Sequence, residues 1–147
     1  MKIWEQSEQI LLATLCKDTK TVEQSLEIFH MEHSSILVYN DENALSSLIS
    51  MAYLSAVKYY FKPIRELPTG KGFADLVYLP KKECFDKPAL LIELKWNKSA
   101  ESAVEQIKRK NYTQALIEYS GEILMVGINY NLKSKKHQCI IEKWIKD

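Results

Sequence analysis

The sequence lacks an excess of charge of either sign. Its 20 lysine and arginine residues are matched by 19 aspartate and glutamate residues, and the net charge is +1. A strong basic excess is typical of domains that bind nucleic acid over a wide surface. Its absence indicates that any such contact is made by a local patch or by another domain.

Cysteines are few, and long apolar runs are absent. Cys16, Cys84 and Cys139 are far apart and form no CxxC pair, which argues against a zinc site and favours a reduced, cytoplasmic protein. The first turns carry Lys2 and Glu5 where a signal peptide would be apolar. No run approaches the ~20 apolar residues that span a membrane, so we expect no membrane contact.

The length of 147 residues fits one domain. Hydrophobic residues make up 46% and charged residues 27%, which is ordinary for a soluble globular protein. A chain of this size buries roughly 70% of the surface that its unfolded form exposes. It therefore holds a core without disulfides or a structural metal.

Helical spacing of apolar residues dominates the first sixty positions. One helix is predicted over about 3–15 and a second over about 22–29, with Thr21 as its cap. A long third helix is predicted over about 42–60, after Asn40-Asp41 as cap.

Strand patterns follow. Strands are predicted over 59–67, 73–79, 89–96, 123–128 and 137–144, with a helix over about 100–119 that Asn97 or Ser99 caps. The third strand is apolar almost throughout, as a central strand covered on both faces is. This order predicts an α/β fold: an αβββαβ core with a mixed sheet, extra N-terminal helices and an extra C-terminal strand. We assign 1–40 to a helical extension packed on the core and 41–147 to a single globular domain.

Three charged residues interrupt strands that otherwise look buried. Asp75 lies in the second predicted strand, and Glu93 and Lys95 lie in the third. Such side chains are rarely buried unless they are paired or bound to metal. Glu93 and Lys95 are two positions apart and therefore point to the same face of the sheet. Asp75 meets them there if the two strands are neighbours.

Each motif alone has an ordinary explanation. A lone aspartate at a strand edge is usually solvated, and Glu-X-Lys on an exposed strand is usually an ion pair worth about 0–1 kcal/mol. The combination favours chemistry because apolar strands carry it. Two carboxylates suit a hard divalent cation, and a lysine beside them orients or helps to deprotonate an attacking water. These parts suit hydrolysis of a phosphodiester bond.

The string Gly72-Phe-Ala-Asp75, followed by Ile92-Glu-Leu-Lys-Trp96, resembles the second and third motifs of the PD-(D/E)XK nuclease superfamily. Longer strings, over 66–75, 88–99 and 126–130, resemble more narrowly the nuclease-like domain found C-terminal to AAA-ATPase-like domains in bacterial proteins. The resemblance extends from about residue 10 to Trp144.

The resemblance implies a restriction-endonuclease-like fold and a site for Mg²⁺ or Mn²⁺. Asp75, Glu93, the Leu94 carbonyl and Glu42 are its implied metal ligands, and Lys95 is the implied catalytic lysine. Glu42 also has an ordinary explanation as a first-turn carboxylate that the helix dipole favours.

Three further positions bear on this site. Gln106 matches a polar position on the helix after the sheet that contacts the site or the substrate in related nucleases. Many relatives carry an arginine where this chain has Phe73, which leaves Lys71 as the nearest basic candidate.

We therefore expect a metal-dependent nuclease domain that hydrolyses phosphodiester bonds in DNA, with RNA as the alternative substrate. Two other classes stay open: a catalytically silent domain that binds nucleic acid, and an oligomerisation domain attached to an AAA-type ATPase. Aromatic residues over 53–61 are candidates either for a homodimer face or for the core. The basic run at 133–137 is interpreted as a solvated turn, with contacts to backbone phosphates as the alternative. The basic run at 108–110, beside Gln106, compensates for the neutral overall charge if its helix borders the site.

Overall fold

The computed structural model describes residues 2–33, 42–66, 75–84, 86–109 and 121–144. Within these residues no helix is long and apolar enough to cross a membrane. The elements are, in chain order, α1 (Lys2–Leu15), α2 (Thr19–His33), α3 (Glu42–Ala52), a 3-10 helix (Leu54–Lys58), β1 (Ile64–Glu66), β2 (Asp75–Tyr78), a second 3-10 helix (Lys82–Cys84), β3 (Ala89–Trp96), α4 (Ala100–Arg109), β4 (Ile123–Asn131) and β5 (Lys136–Lys143).

The strands form one mixed sheet in the order β1-β2-β3-β4-β5. β3 and β4 are parallel, from Ala89 opposite Ile123 to Trp96 opposite Tyr130. The other neighbouring strands are antiparallel. α4 connects the two parallel strands. The predicted α/β class, with a restriction-endonuclease-like αβββαβ core, helices before it and a strand after it, is confirmed.

Different helices cover the two faces of the sheet. Even-numbered residues of β3, such as Leu90 and Ile92, lie in the larger apolar cluster with residues of α1, α2 and α3. Odd-numbered Leu91 lies on the other face in a smaller cluster with Val77 and Met125. We call this second side the α4 face, because α4 packs against it. Burial of β3 from Ala89 to Leu94 confirms the prediction of a central strand.

The predicted continuous helix over 42–60 is wrong in its second half. α3 ends at Ala52, Tyr53 leaves helical geometry, and a 3-10 helix follows. Buried hydrogen bonds to α1 hold this break: the Tyr53 and Thr14 hydroxyls are 2.7 Å apart, and Ser7 Oγ accepts the Ser55 N–H at 2.8 Å. Apolar spacing predicts a continuing helix because it carries no information about polar partners from another helix.

Strand ends also differ from the predicted ones. β1 covers only Ile64–Glu66, and an isolated bridge joins Tyr60 to Pro80 before it. Pro63, next to β1, has no N–H for a strand ladder. β4 continues to Asn131, into the predicted turn.

The cap of α2 is Asp18 and not Thr21. α2 begins at Thr19, and Asp18 Oδ1 accepts the Thr21 N–H at 3.2 Å. The predicted cap at Asn40-Asp41, the segment 67–74 and the part of the predicted helix over 110–119 lie outside the described residues.

α2 lies against β5, the last strand of the sheet, through two carboxylates. Glu27 Oε2 accepts the backbone N–H of His137 and also lies 3.0 Å from His137 Nδ1. Glu23 Oε2 accepts the N–H of Cys139 at 2.8 Å. Buried backbone N–H groups need such partners. Acidic side chains of a helix therefore supply acceptors to this strand.

His137 is almost fully buried at this contact, with 3% of its surface exposed. Burial lowers the pKa of its imidazole to about 4, although the neighbouring Glu27 carboxylate opposes the shift. The His30 ring, whose centroid is 5.8 Å away, also lowers this pKa. His137 is therefore neutral in the folded protein at neutral pH.

Gly127 in β4 lets α4 approach the sheet closely. A Cβ atom at this position would lie 2.7 Å from the Ala100 carbonyl oxygen and 2.9 Å from Val104 Cγ2. Gly127 is also the register partner of Glu93. The close approach thus occurs beside one of the predicted site residues.

We predict that Gly127→Ala destabilises the fold by about 1–3 kcal/mol, since the added methyl group overpacks the interface and the clashing carbonyl belongs to the helix backbone. Urea unfolding followed by circular dichroism measures the change. An unfolding free energy equal to that of wild type would contradict the close approach of α4.

We predict that stability falls as pH is lowered from about 6.5 to about 4. In this window an unfolded histidine binds a proton and folded His137 does not, so the unfolded state takes up more protons. Urea unfolding at several pH values should show a smaller loss for His137→Gln than for wild type. Parallel curves for the two proteins would contradict the prediction.

Candidate functional site

β3 carries two charged residues on the α4 face. Glu93 is fully buried, with 0% of its surface exposed, and Lys95 is half-buried. Strand alternation places both with Leu91, which packs on this face. A buried carboxylate is costly unless charged or polar groups surround it. Glu93, a carboxylate in a central strand, is therefore a candidate for the site.

Asp75 is the first residue of β2, which pairs with β3. The antiparallel register sets Leu76 opposite Ile92 and Val77 opposite Leu91. Continued by one residue, it sets Asp75 opposite Glu93. Directly opposed positions have Cβ atoms about 4.5–5.5 Å apart. The predicted neighbourhood of β2 and β3 is confirmed, and the backbone brings these two positions together.

α4 supplies a polar partner to Lys95. Lys95 Nζ donates a hydrogen bond to Gln106 Oε1. The sequence predicted both residues for the site, and the structure brings them together across the α4 face. The amide of Gln106 therefore orients the ammonium group of Lys95.

Ser99 and Ser102 fix the start of α4. Ser99 Oγ accepts the Ser102 N–H at 3.0 Å, and Ser102 Oγ accepts the Ser99 N–H at 3.3 Å. This reciprocal pair is a capping box, so Ser99 is the cap and not Asn97. The box sets the direction of the helix that carries Gln106.

Sequence reasoning missed two asparagines beside Lys95. Asn129 is buried and is the register partner of Lys95. Its Oδ1 accepts the Lys98 N–H at 2.9 Å. Asn97 has a left-handed backbone (φ 56°), and its Oδ1 accepts the Leu132 N–H at 2.8 Å. Together they connect the turn after β3 to β4 and to the turn between β4 and β5.

The predicted fourth strand ended at 128 and left Asn129 in the following turn, whereas β4 continues through it to Asn131. The string 126–130 contributed to the resemblance, but no role was assigned to its asparagine. Asn97 carried no signal of its role either, because its partner in the turn after β4 is 35 residues away.

Glu42, a predicted ligand, is the first residue of α3. The body of α3 packs on the face opposite to Glu93, through Leu45, Leu48 and Ile49. The side chains of Glu42 and Asp75 lie outside the described part of the chain. Their roles as ligands stay predictions, as does that of the Leu94 carbonyl.

Among the side chains that are described, no three His, Cys, Asp or Glu groups stand close enough together to hold a metal ion. The predicted site draws part of its donors from Asp75 and Glu42, whose side chains lie outside that part of the chain.

The arrangement juxtaposes a buried carboxylate, a second carboxylate position opposite it in register, and an oriented ammonium group. Carboxylate oxygens suit hard divalent cations. An ammonium group suits a developing negative charge or a water molecule.

A comparison with protein families agrees with this geometry. The profile of the PD-(D/E)XK nuclease superfamily matches residues 40–144, from before α3 to beyond β5. The matched range covers well over half of the chain and includes Asp75, Glu93 and Lys95. A search among curated proteins found no match. Because the family profile and the fold agree over this range, the chain belongs to the PD-(D/E)XK nuclease superfamily.

Proposed function

We propose that the chain is a divalent-metal-dependent nuclease that hydrolyses phosphodiester bonds in DNA. The observation that carries the proposal is the Glu93–Lys95 pair on the α4 face, with Glu93 fully buried and Lys95 bound to Gln106. A surface ion pair would need neither the burial nor the partner from α4. Membership of the nuclease superfamily supports the reaction class.

The residues at this place fit a divalent cation by their chemistry. Glu93 and Asp75 lie at opposed positions of β3 and β2 and would offer carboxylate oxygens, and the family resemblance adds the Leu94 carbonyl and Glu42 as further oxygen donors. Mg²⁺ and Mn²⁺ prefer oxygen ligands. When bound, a divalent cation supplies positive charge that polarises a phosphoryl oxygen and acidifies nearby water.

Lys95 supplies the positive charge and the N–H donors of the proposed site. Its Nζ orients the attacking water or neutralises charge that develops on the phosphoryl oxygens. Gln106 holds Nζ through its amide oxygen, so the ammonium group does not have to be ordered when the substrate arrives.

The buried surroundings strengthen these interactions. The Val77 and Leu91 side chains lie on the same face, and Ala100, Ala103 and Val104 of α4 are buried beside Gly127. A low local dielectric makes a charge pair more effective than it would be in water. The close packing that Gly127 allows thus belongs to the proposed site.

We predict that Mn²⁺ binds wild type and that Asp75→Asn and Glu93→Gln weaken binding at least about tenfold, because each removes a charged oxygen ligand from the site. Isothermal titration calorimetry with Mg²⁺ and Mn²⁺ measures this. Asp86→Asn is the matched control, since Asp86 is an exposed aspartate that forms an ion pair with Lys87.

Binding to Asp75→Asn as strong as to wild type would contradict Asp75 as a ligand. Circular dichroism of Glu93→Gln separates loss of the ligand from loss of the fold, because this change keeps the size of the buried side chain.

We predict that Lys95→Ala lowers the rate of Mn²⁺-dependent DNA cleavage by about 10²–10⁴-fold while Mn²⁺ binding persists, since Lys95 acts on the water or the phosphoryl group. Gln106→Ala should cause a smaller loss, because it disorders Lys95 without removing it. A gel assay with labelled duplex DNA and with RNA of the same sequence measures the rates. Lys143→Ala is the control, since Lys143 is a strand lysine at the far end of β5 that pairs with Glu122.

Cleavage that survives Lys95→Ala would contradict the mechanism. A wild-type chain that binds Mn²⁺ and nucleic acid but cleaves neither substrate would instead identify a catalytically silent domain.

A further inference from the structure

Two turns meet at the end of the sheet where Lys95 lies. The first, over 97–99, leaves β3, and the second, over 132–135, joins β4 to β5. Asn97 links them: its N–H donates to the Tyr130 carbonyl at 2.8 Å, and its Oδ1 accepts the Leu132 N–H at 2.8 Å. The two turns therefore form one connected surface.

Three exposed lysines lie on these turns: Lys98 on the first, and Lys133 and Lys135 on the second. We call them the lysine surface. Within the described part of the chain none of the three has a carboxylate partner at ion-pair distance. Lys136, beside them, differs because its Nζ lies 4.0 Å from Glu27 Oε1. Uncompensated positive charge is thus concentrated here in a chain whose net charge is only +1.

The second turn is held in one shape by its own hydrogen bonds. Asn131 Oδ1 accepts the Ser134 N–H at 2.9 Å, and the Asn131 carbonyl accepts the Lys135 N–H at 2.8 Å. Lys135 has a left-handed backbone, with φ 59°. Glycine and asparagine adopt that conformation more readily. Lys135 thus occupies a backbone position that glycine or asparagine would adopt with less strain.

We propose that the lysine surface binds the phosphate backbone of the nucleic acid whose bond lies at Lys95. The inference rests on the proposed function for the identity of the ligand. Lys95 and Lys98 are three residues apart, and Asn129, the register partner of Lys95, accepts the Lys98 N–H. Lys98 therefore lies at the same end of the sheet as Lys95.

Charge complementarity favours a nucleic acid. Duplex DNA carries one negative charge per about 1.7 Å of helix axis, and such closely spaced phosphates suit several lysines on neighbouring turns. Lysines that contact phosphates fix position without reading sequence. The lysine surface is thus expected to contribute affinity and register but no base preference.

The test measures binding without cleavage. Fluorescence anisotropy follows a labelled 20-base-pair duplex, and a single strand of the same sequence, in EDTA at several salt concentrations. For the double variant Lys133→Gln, Lys135→Gln we expect at least about tenfold weaker binding and a salt slope smaller by about 2, one for each lost phosphate contact. The variant Lys133→Arg, Lys135→Arg should bind as wild type does, because it keeps both charges.

Lys17→Gln is the matched control. Lys17 is exposed, has a left-handed backbone (φ 58°) and precedes α2. About 12 Å of helix separates the start of α2 from Glu27, the α2 residue that reaches β5 beside the second turn. Lys17→Gln should leave both affinity and salt slope unchanged.

Three results would overturn the proposal: wild type that binds neither probe at low salt, a double variant with the wild-type salt slope, or an equal loss in Lys17→Gln. These results are separate from a failure of the proposed function. A chain that binds through these lysines but cleaves nothing would support the lysine surface and contradict the proposed nuclease activity. A chain that cleaves, but whose double variant binds as wild type does, would support the nuclease activity and contradict the lysine surface.

Discussion

The parallel pairing of β3 with β4 is the constraint on which the rest of the structure depends. It requires a crossover, and α4 provides it on one face of the sheet. The pairing also sets Gly127 opposite Glu93 and Asn129 opposite Lys95. α4 approaches the sheet at Gly127, where the missing side chain leaves room. Glu93 and Lys95 lie on the same face of the sheet, on the neighbouring strand. Connection, packing and candidate chemistry are therefore fixed by one register.

The predicted elements that the structure reproduces best are those with an unambiguous apolar pattern. β3 has the predicted bounds, Ala89–Trp96, because its nearly continuous apolar run is typical of a strand that is covered on both faces. The same run made Glu93 and Lys95 conspicuous. Long-range information was needed elsewhere. The break at Tyr53 depends on the Thr14 hydroxyl, 39 residues away in the sequence, and no local pattern contains that contact.

The candidate site also has parts that local sequence patterns predict and parts that they do not. The strand alternation of Glu93 and Lys95 follows from the sequence, and the assignment of Gln106 to the site followed from family resemblance and not from spacing. The hydrogen bond between Lys95 and Gln106 was seen only in the structure. The supporting roles of the two asparagines followed neither from strand alternation nor from family resemblance. Asn97 and Asn129 act through backbone groups of other elements, and a side chain that binds backbone carries little signature of its partner. Polar residues that support a site are for this reason harder to predict than the charged residues that form it.

The two carboxylates that α2 extends to β5 have a consequence for how copies of the chain can associate. An outer strand normally exposes a row of N–H and C=O groups that a strand from another molecule can join. On β5, Glu27 and Glu23 already occupy the N–H groups of His137 and Cys139. Addition of a strand at these two residues therefore requires α2 to detach first. Local opening of α2, rather than collision of intact molecules, would control aggregation through β5.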